Sequence, residues 1–317
     1  MLQKLRDNTR ATIRAAIGIA ALVPVLAATA FQGFVVSKVS HNTTIPNLIY
    51  KGLGKLLGVK VAFNKASAPI DKNQRTWFVA NHQSIIDFVV LGSTLNATFA
   101  GKGDILKWPV IAQMARAVKY IGLRRSAEFN GQSRAKLINN LNDDYNAIVF
   151  PEATTTPTNK MALFRAPLFT ILFGEKGVTK EGKEVSLDKK VVLQPVAIKL
   201  KSVNGQDATD RPDLHDCYNM YNENQTLKRI WRRLKIKEMT VELTAFPAMN
   251  PADYEGAQPS AKDMELPNAK EITGAKALIN DAALKIASVV NPGQTTFEKA
   301  AIPGQAMKPA PVPAPSA

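Results

Sequence analysis

The chain is short of the residues that most often carry chemistry. Among 317 residues it has one cysteine, Cys217, and three histidines, and aromatics make up 7%. A single cysteine cannot close an internal disulfide, which fits a reducing compartment. No grouping of His, Cys and carboxylates has metal-ligand spacing, and no GxGxxG or phosphate-binding P-loop motif occurs. No repeat with a solenoid-like period is visible. Acid is scarce too: 26 Asp and Glu stand against 41 Lys and Arg, a formal net charge of +15. That excess points to an anionic partner, whether nucleic acid, an anionic lipid surface or a phosphorylated substrate. The apolar content of 45% is enough for a packed core and excludes wholesale disorder. The length suits one large domain with appendages, or two small domains.

Long apolar stretches are equally rare, with one exception near the N-terminus. Lys4, Arg6, Arg10 and Arg14 precede "AAIGIAALVPVLAATAFQGFVVS", residues 15–37, which carry no charge. Three readings fit: a spanning helix by length, a cleaved signal peptide by the basic start and Ala28-Thr29-Ala30, or an embedded segment that does not cross. Pro24 is expected to interrupt the helix. "IPNLIYKGLGKLLG" (45–58) follows, with Lys51 and Lys55 opposite an apolar stripe, and reads as an interfacial or surface helix.

From residue 60 the pattern alternates. "VKVAF", "TWFVA" (76–80), "ATFAGK", "YIGLR", "AIVFPE" (147–152), "VVLQPVAIKL" (191–200) and "MTVELTAF" (239–246) read as strands. Residues 86–95, 109–118, 133–143 and 269–290 read as helices, and 247–270 as loop. "QTLKRIWRRLKIKE" (225–238) predicts a basic amphipathic helix. Its apolar stripe is Leu227, Ile230, Trp231 and Leu234, ringed by Lys228, Arg229, Arg232, Arg233, Lys235 and Lys237. Strands alternating with helices predict an α/β domain, a mixed sheet flanked by helices. The expected organisation is N-terminal membrane-association helices over 1–58, a catalytic domain over 59–247, a C-terminal loop and helix over 248–302, and a Pro/Ala-rich disordered tail over 303–317.

"NHQSIID" (81–87) places His82 five residues before Asp87. Mid-helix, that spacing turns about 500° and leaves the two side chains apart. They meet if His82 sits in the entrance turn and Asp87 in the first helical turn, a start that Asn81 and Ser84 support. The carboxylate then orients the imidazole as a general base. Ser84 lacks a GxSxG elbow, so a substrate hydroxyl is the better proton donor. His41 and His215 have no motif partners and read as structural or exposed.

Four blocks then fall in order: "NHQSIID", "YIGLRR" (120–125), "FPEATTT" (150–156) and "VVLQPVAI" (191–198). The set resembles the glycerolipid acyltransferase family, whose best-known activity is 1-acylglycerol-3-phosphate acyltransferase. The resemblance implies a glycerol-3-phosphate acyltransferase-like fold and no cofactor. It implies transfer of a fatty acyl group from acyl-CoA or acyl carrier protein to a lysophospholipid hydroxyl. His82 would be the base and Asp87 its orienting partner. Arg125, with Arg124 as its neighbour, would bind an anionic head group, and Lys102 would lie near a phosphate. Glu152 would help shape the acceptor site, and Pro195 the pocket.

Two departures bear on the acceptor. The third block of the family usually reads FPEGTR, whereas Ala153 replaces the glycine here and Thr155 the arginine. Ala153 suits a backbone without positive φ. Losing the arginine removes a bidentate phosphate clamp, and Arg165 in "LFRAPLF" (163–169) could supply the cation beside Thr154 and Thr155. The second block has Lys119 and Gly122 in place of its usual glycine and phenylalanine. Threonine variants occur among relatives acting on other lysophospholipids and in ornithine-lipid synthesis. The expected acceptor is 1-acylglycerol-3-phosphate, giving phosphatidic acid, with lyso-ornithine lipid or another lysophospholipid as the alternative. Two readings of other classes stay open: a membrane-tethered nucleic-acid-binding protein, which the four blocks and the few aromatics disfavour, and an inactive scaffold. The expected location is the membrane, with the catalytic domain on the cytoplasmic side, where acyl-CoA and acyl carrier protein are found.

Overall fold

A computed structural model describes residues 2–36, 44–103, 106, 112, 115, 119–123, 131–158, 160–209, 211–219, 226–257 and 269–298. Helix α1 (Leu2–Phe31) runs on through a π-helical turn at Gln32–Val36. It is followed by α2 (Thr44–Leu57), β1 (Val59–Phe63), β2 (Thr76–Ala80), α3 (Ile86–Thr94), β3 (Thr98–Lys102) and β4 (Ile121–Leu123). Next come α4 (Gly131–Asn142), β5 (Ala147–Val149), a 3-10 helix (Ala166–Phe173), a small hairpin of β6 (Gly177–Val178) and β7 (Glu184–Val185), and β8 (Val192–Val203). The chain continues with β9 (Gln206–Asp207), α5 (Pro212–His215), α6 (Thr226–Lys235), β10 (Met239–Ala245), a 3-10 turn (Pro251–Tyr254) and α7 (Ala269–Val290).

The main sheet is mixed, in the order β1-β10-β8-β2-β5-β3-β4, with β9 paired to β8. Strands β8, β2, β5, β3 and β4 run parallel, while β10 runs against β8 and β1 follows β10. The all-apolar "WFVA" of β2 is buried on both faces, as a central parallel strand requires. One apolar cluster under the sheet packs Trp77, Leu137, Phe169, Leu193 and Ile279 between α4, the 3-10 helix and α7. A second joins Phe78, Leu91, Phe99, Ile198 and Leu243 beneath α3. Indole Trp77 stacks on Phe169 at 4.5 Å, which seats the 3-10 helix on the sheet.

The secondary structure and packing depart from the sequence reading in five places. Helix α1 passes through Pro24 without a break; proline removes one N–H from the ladder, and the small Ala20 and Ala21 lie one turn earlier. Strand β5 ends at Val149, because Phe150 begins a turn that Ala153 N–H closes onto the Phe150 carbonyl. Strand β8 extends to Val203, with Pro195 inside it opposite Val79. The 247–270 loop holds a 3-10 turn capped by Asn250, whose side chain accepts from Ala252 N–H. The fifth departure is in α6, where Arg233, read as part of the basic ring, is buried; of the apolar stripe Leu234 is buried, while Ile230 and Trp231 are each 40% exposed. The expected helix over 109–118 falls largely outside the described residues, as do His41 and the tail.

Helix α1 docks by its basic end. Arg10 donates to the Lys235 carbonyl (2.6 Å), and Arg14 donates to the carbonyls of Leu234 (3.1 Å) and Lys237 (2.9 Å). These oxygens belong to the last turn of α6 and the residues after it, where carbonyls lack helical partners. Beyond Arg14 the helix exposes Ile17, Ile19, Val23, Phe31 and Phe34. Helix α2 returns beside it, with Leu56 against Gly18, and packs on α3 through Tyr50 over Gly92.

Candidate active site

His82 lies two residues beyond the end of β2, and Glu152 three beyond the end of β5. Lys102 closes β3. Since these strands are parallel neighbours, all three residues emerge at the carboxyl ends of the sheet, where open α/β sheets place their ligands. Strand β4 also runs parallel to β3 and ends at Leu123; Arg124 and Arg125 lie outside the described residues.

His82 and Asp87 meet as the turn-to-helix reading requires. Nδ1 of His82 is 2.9 Å from Asp87 Oδ2. That same oxygen accepts from the N–H groups of Gln83 (2.7 Å) and Ser84 (2.8 Å). The other, Oδ1, accepts from the Tyr218 hydroxyl. A carboxylate holding two backbone donors cannot rotate away from the imidazole, so Asp87 is fixed from every side. With Nδ1–H donating to Asp87, Nε2 is left as the basic nitrogen. The imidazole stacks on Phe150 at 4.1 Å and meets the edge of Phe88 at 5.6 Å. It is partly open, while Asp87 is fully buried.

The capping pattern differs from the sequence reading. Helix α3 has no side-chain bond from its N-cap, Ile85, but Ser84 Oγ accepts from Ile86 N–H (3.3 Å), and Asp87 reaches back to the entrance turn. Asn81 faces β8, donating to the Ile198 carbonyl (2.9 Å) and accepting from Ile198 N–H (2.8 Å). Asn81 therefore ties the His82 turn to the sheet.

The third block holds the turn from the other side. Glu152 Oε1 accepts from His82 N–H and Oε2 from Ala162 N–H, both at 2.7 Å. Thr156 donates to the His82 carbonyl from its N–H (2.8 Å) and its hydroxyl (3.1 Å). Gln83 donates to the Thr158 carbonyl (2.9 Å). Burial pushes the Glu152 carboxyl up to about 8, against the N–H groups of Ala162 and His82, which lower it. Glu152 thus binds two loops together, since both its oxygens are taken by backbone N–H groups. Thr154 and Thr155 are half-buried on the same turn, and Arg165 is exposed, joined to it by its own N–H to the Pro151 carbonyl (3.1 Å). Lys102 is exposed at its strand end. Sequence reasoning missed Tyr218 and the lacing role of Thr156. Tyr218 is 131 residues from Asp87, beyond any local signal. His215 is structural, bonded to Thr158 and the Ala208 carbonyl.

Two positions where related sequences carry glycine keep glycine's backbone. Ala153 has φ +59° and Lys119 φ +50°, a left-handed conformation that costs an L-residue about 1–2 kcal/mol. The expectation that alanine signals ordinary φ at 153 is overturned: the turn over Phe150 demands the conformation whatever the side chain. Ala153→Gly is expected to stabilise the fold by about 1 kcal/mol; an unchanged or lowered melting temperature would show that the turn is unstrained.

Residues 63–199 match the Acyltransferase family model. Among curated proteins, the lyso-ornithine lipid O-acyltransferase of Rhodobacter capsulatus is 24% identical over 187 residues, covering 59% of this chain and 60% of that protein. The enzymes of the same name from Rhizobium meliloti and Pseudomonas aeruginosa are each 26% identical, over 47% and 45% of this chain and 48% and 50% of theirs. The chain therefore spans about half to three fifths of the length of the curated relatives it matches. The crystal structure of the 1-acyl-sn-glycerophosphate (LPA) acyltransferase PlsC from Thermotoga maritima shares the fold. Its TM-score is 0.54 at 16% identity, over 90% of this chain and 98% of that one.

Proposed function

We propose that this chain, whose residues 63–199 match the Acyltransferase family and which resembles the glycerolipid acyltransferases, acylates the free hydroxyl of a lysolipid, with His82 as general base. The observation that carries this reading is the His82 Nδ1–Asp87 Oδ2 bond of 2.9 Å, made by a carboxylate that two backbone N–H groups hold in place. It leaves Nε2 as an oriented base at the carboxyl ends of the sheet.

The chemistry balances without a covalent enzyme intermediate. Nε2 takes the acceptor hydroxyl proton as the oxygen attacks the thioester carbonyl. The tetrahedral oxyanion collapses and the C–S bond breaks. The leaving thiolate takes the proton back from the imidazolium, giving an ester and a free thiol. Asp87 stabilises the imidazolium between these steps. The acyl donor is acyl-CoA or acyl carrier protein, and the basic surface suits either acidic donor.

Lyso-ornithine lipid is the acceptor we favour. Thr155 stands where the family's phosphate-clamping arginine usually lies, and three relatives bear the lyso-ornithine name. The second reading, 1-acylglycerol-3-phosphate, is favoured by Arg165, an exposed cation joined to the Glu152 turn. Purified full-length chain, given each lyso-acceptor with each donor, is expected to turn over lyso-ornithine lipid at least about tenfold faster, the scale on which one contact of about 1.4 kcal/mol discriminates. Faster turnover of the phosphate acceptor would reverse the assignment.

The two N-terminal helices support a membrane location. Helix α1 is long and apolar enough to cross a bilayer. From Arg14 to Val36 it extends about 33 Å at 1.5 Å per residue. Both its basic start and the end of α2 rest on the catalytic body: a Cβ at Gly58 would strike the Lys237 carbonyl and Arg14. With 14 residues, α2 is about 21 Å long, too short to cross. We infer that the segment enters and leaves one leaflet, the cytoplasmic one, where the donors can reach His82; the anchoring of both its ends on the catalytic body supports this reading.

A further inference from the structure

On the far side of Asp87 from His82, against Tyr218, lies a cavity of about 60 Å³. Leu57, Ile85, Ile86 and Ile230 form apolar walls, and Tyr218 and Arg233 supply polar groups. Arg233 is 5% exposed. Its Nε, Nη1 and Nη2 are all buried without a hydrogen-bond partner among the described residues. Asp216 also lines the cavity, but its carboxylate is held by Arg232 at 2.5 Å. Arg14 is the other charge nearby, and it adds to the positive field on Arg233.

A guanidinium with three unpaired, buried nitrogens is costly. Desolvation accordingly lowers Arg233, with Arg14 adding to the effect, to about 10. Its forked donors match the oxygens of a phosphate. The cavity is small, about 60 Å³, a scale that suits an oxyanion. We propose that Arg233 anchors an anion site, behind the catalytic pair, that takes the phosphate of an anionic membrane lipid. Its surroundings favour a lipid over a free ion. Ile230 and Trp231, in the same helix, turn outward half-exposed, and Trp is suited to a lipid–water boundary. The apolar helix α1 starts from this same patch, with Arg10 and Arg14 bonded to the end of α6. The floor of the site is Tyr218, whose hydroxyl holds Asp87, so an occupant sits one residue from the catalytic carboxylate.

Thermal melts of the full chain in neutral detergent test this. Dihexanoyl phosphatidylglycerol, dihexanoyl phosphatidylcholine and inorganic phosphate are titrated separately. The phosphatidylglycerol is expected to raise the melting temperature by roughly 5 °C near saturation, with little effect from the other two. Arg233→Met should abolish the rise, and Lys228→Gln, which removes an exposed cation of the same helix outside the cavity, should keep it. Should Arg233→Met fail to fold, Arg233→Lys serves: it keeps the charge, loses the fork, and is expected to need about tenfold more lipid. An equal rise with inorganic phosphate would overturn the lipid source. No rise with any anion, or a rise unaltered by either Arg233 variant, would overturn the site. Stability is the readout, so such a failure leaves the acyl-transfer assignment standing.

Discussion

Asp87→Asn is expected to lower kcat by about 10³-fold or more while leaving the fold intact. The amide oxygen can stay where Oδ2 now accepts from Gln83, Ser84 and His82. The amide nitrogen then falls beside Tyr218, whose hydroxyl oxygen can accept in place of donating. The packing survives, and what disappears is the negative charge that stabilises the imidazolium. The acceptor KM should stay within about threefold, because a charge felt only once His82 is protonated acts in the transition state. A variant with nearly full kcat would show that Asp87 only shapes the turn.

Glu152→Ala carries the second largest effect and reports on position rather than chemistry. It strips the N–H groups of His82 and Ala162 of their acceptor, and a buried unsatisfied donor costs about 1–3 kcal/mol. A net loss of about 3 kcal/mol lowers the melting temperature by roughly 6–10 °C. A shift of even an ångström in His82 is worth about 10²-fold in kcat. Acceptor KM should barely move, since neither oxygen faces a ligand; a large rise in KM with normal kcat would instead place Glu152 against the acceptor. The pH profile of stability separates the two proteins further. An acid at about 8 in the folded state and near 4.3 when unfolded binds its proton more tightly when folded. Its contribution is fully present below the unfolded value and fades as pH rises to about 8. The stability difference between wild type and Glu152→Ala should therefore shrink across that window, and a constant difference would mean that Glu152 is charged throughout.

Where the sequence was legible, a local rule decided the outcome. The five-residue step from His82 to Asp87 allows contact only across a turn into a helix, and the chain adopts that geometry. The apolar β2 and the periodic α7 followed from pattern alone, because each buries its own stripe against the sheet. The unread features are tertiary. Asn81 has the composition of a helix cap, yet the neighbouring β8 offers it two backbone partners at once. Arg233 sits in a helix whose periodicity placed it in the solvated basic ring. Nothing in ten residues of α6 records that Arg14 and the end of α2 cover that face. At Ala153 the turn geometry, set by the Phe150 carbonyl, outweighed side-chain preference.

The central claim is that His82 withdraws the acceptor proton during transfer from thioester to lysolipid. It is tested most directly by following thiol release and diacyl product together, using purified wild-type chain and His82→Ala with lyso-ornithine lipid as acceptor. Wild type should form the two products one to one, with release dependent on the acceptor. His82→Ala, folded by circular dichroism, should lose about 10²–10⁴-fold in rate. A folded His82→Ala protein that keeps more than about a tenth of the wild-type rate would contradict the account.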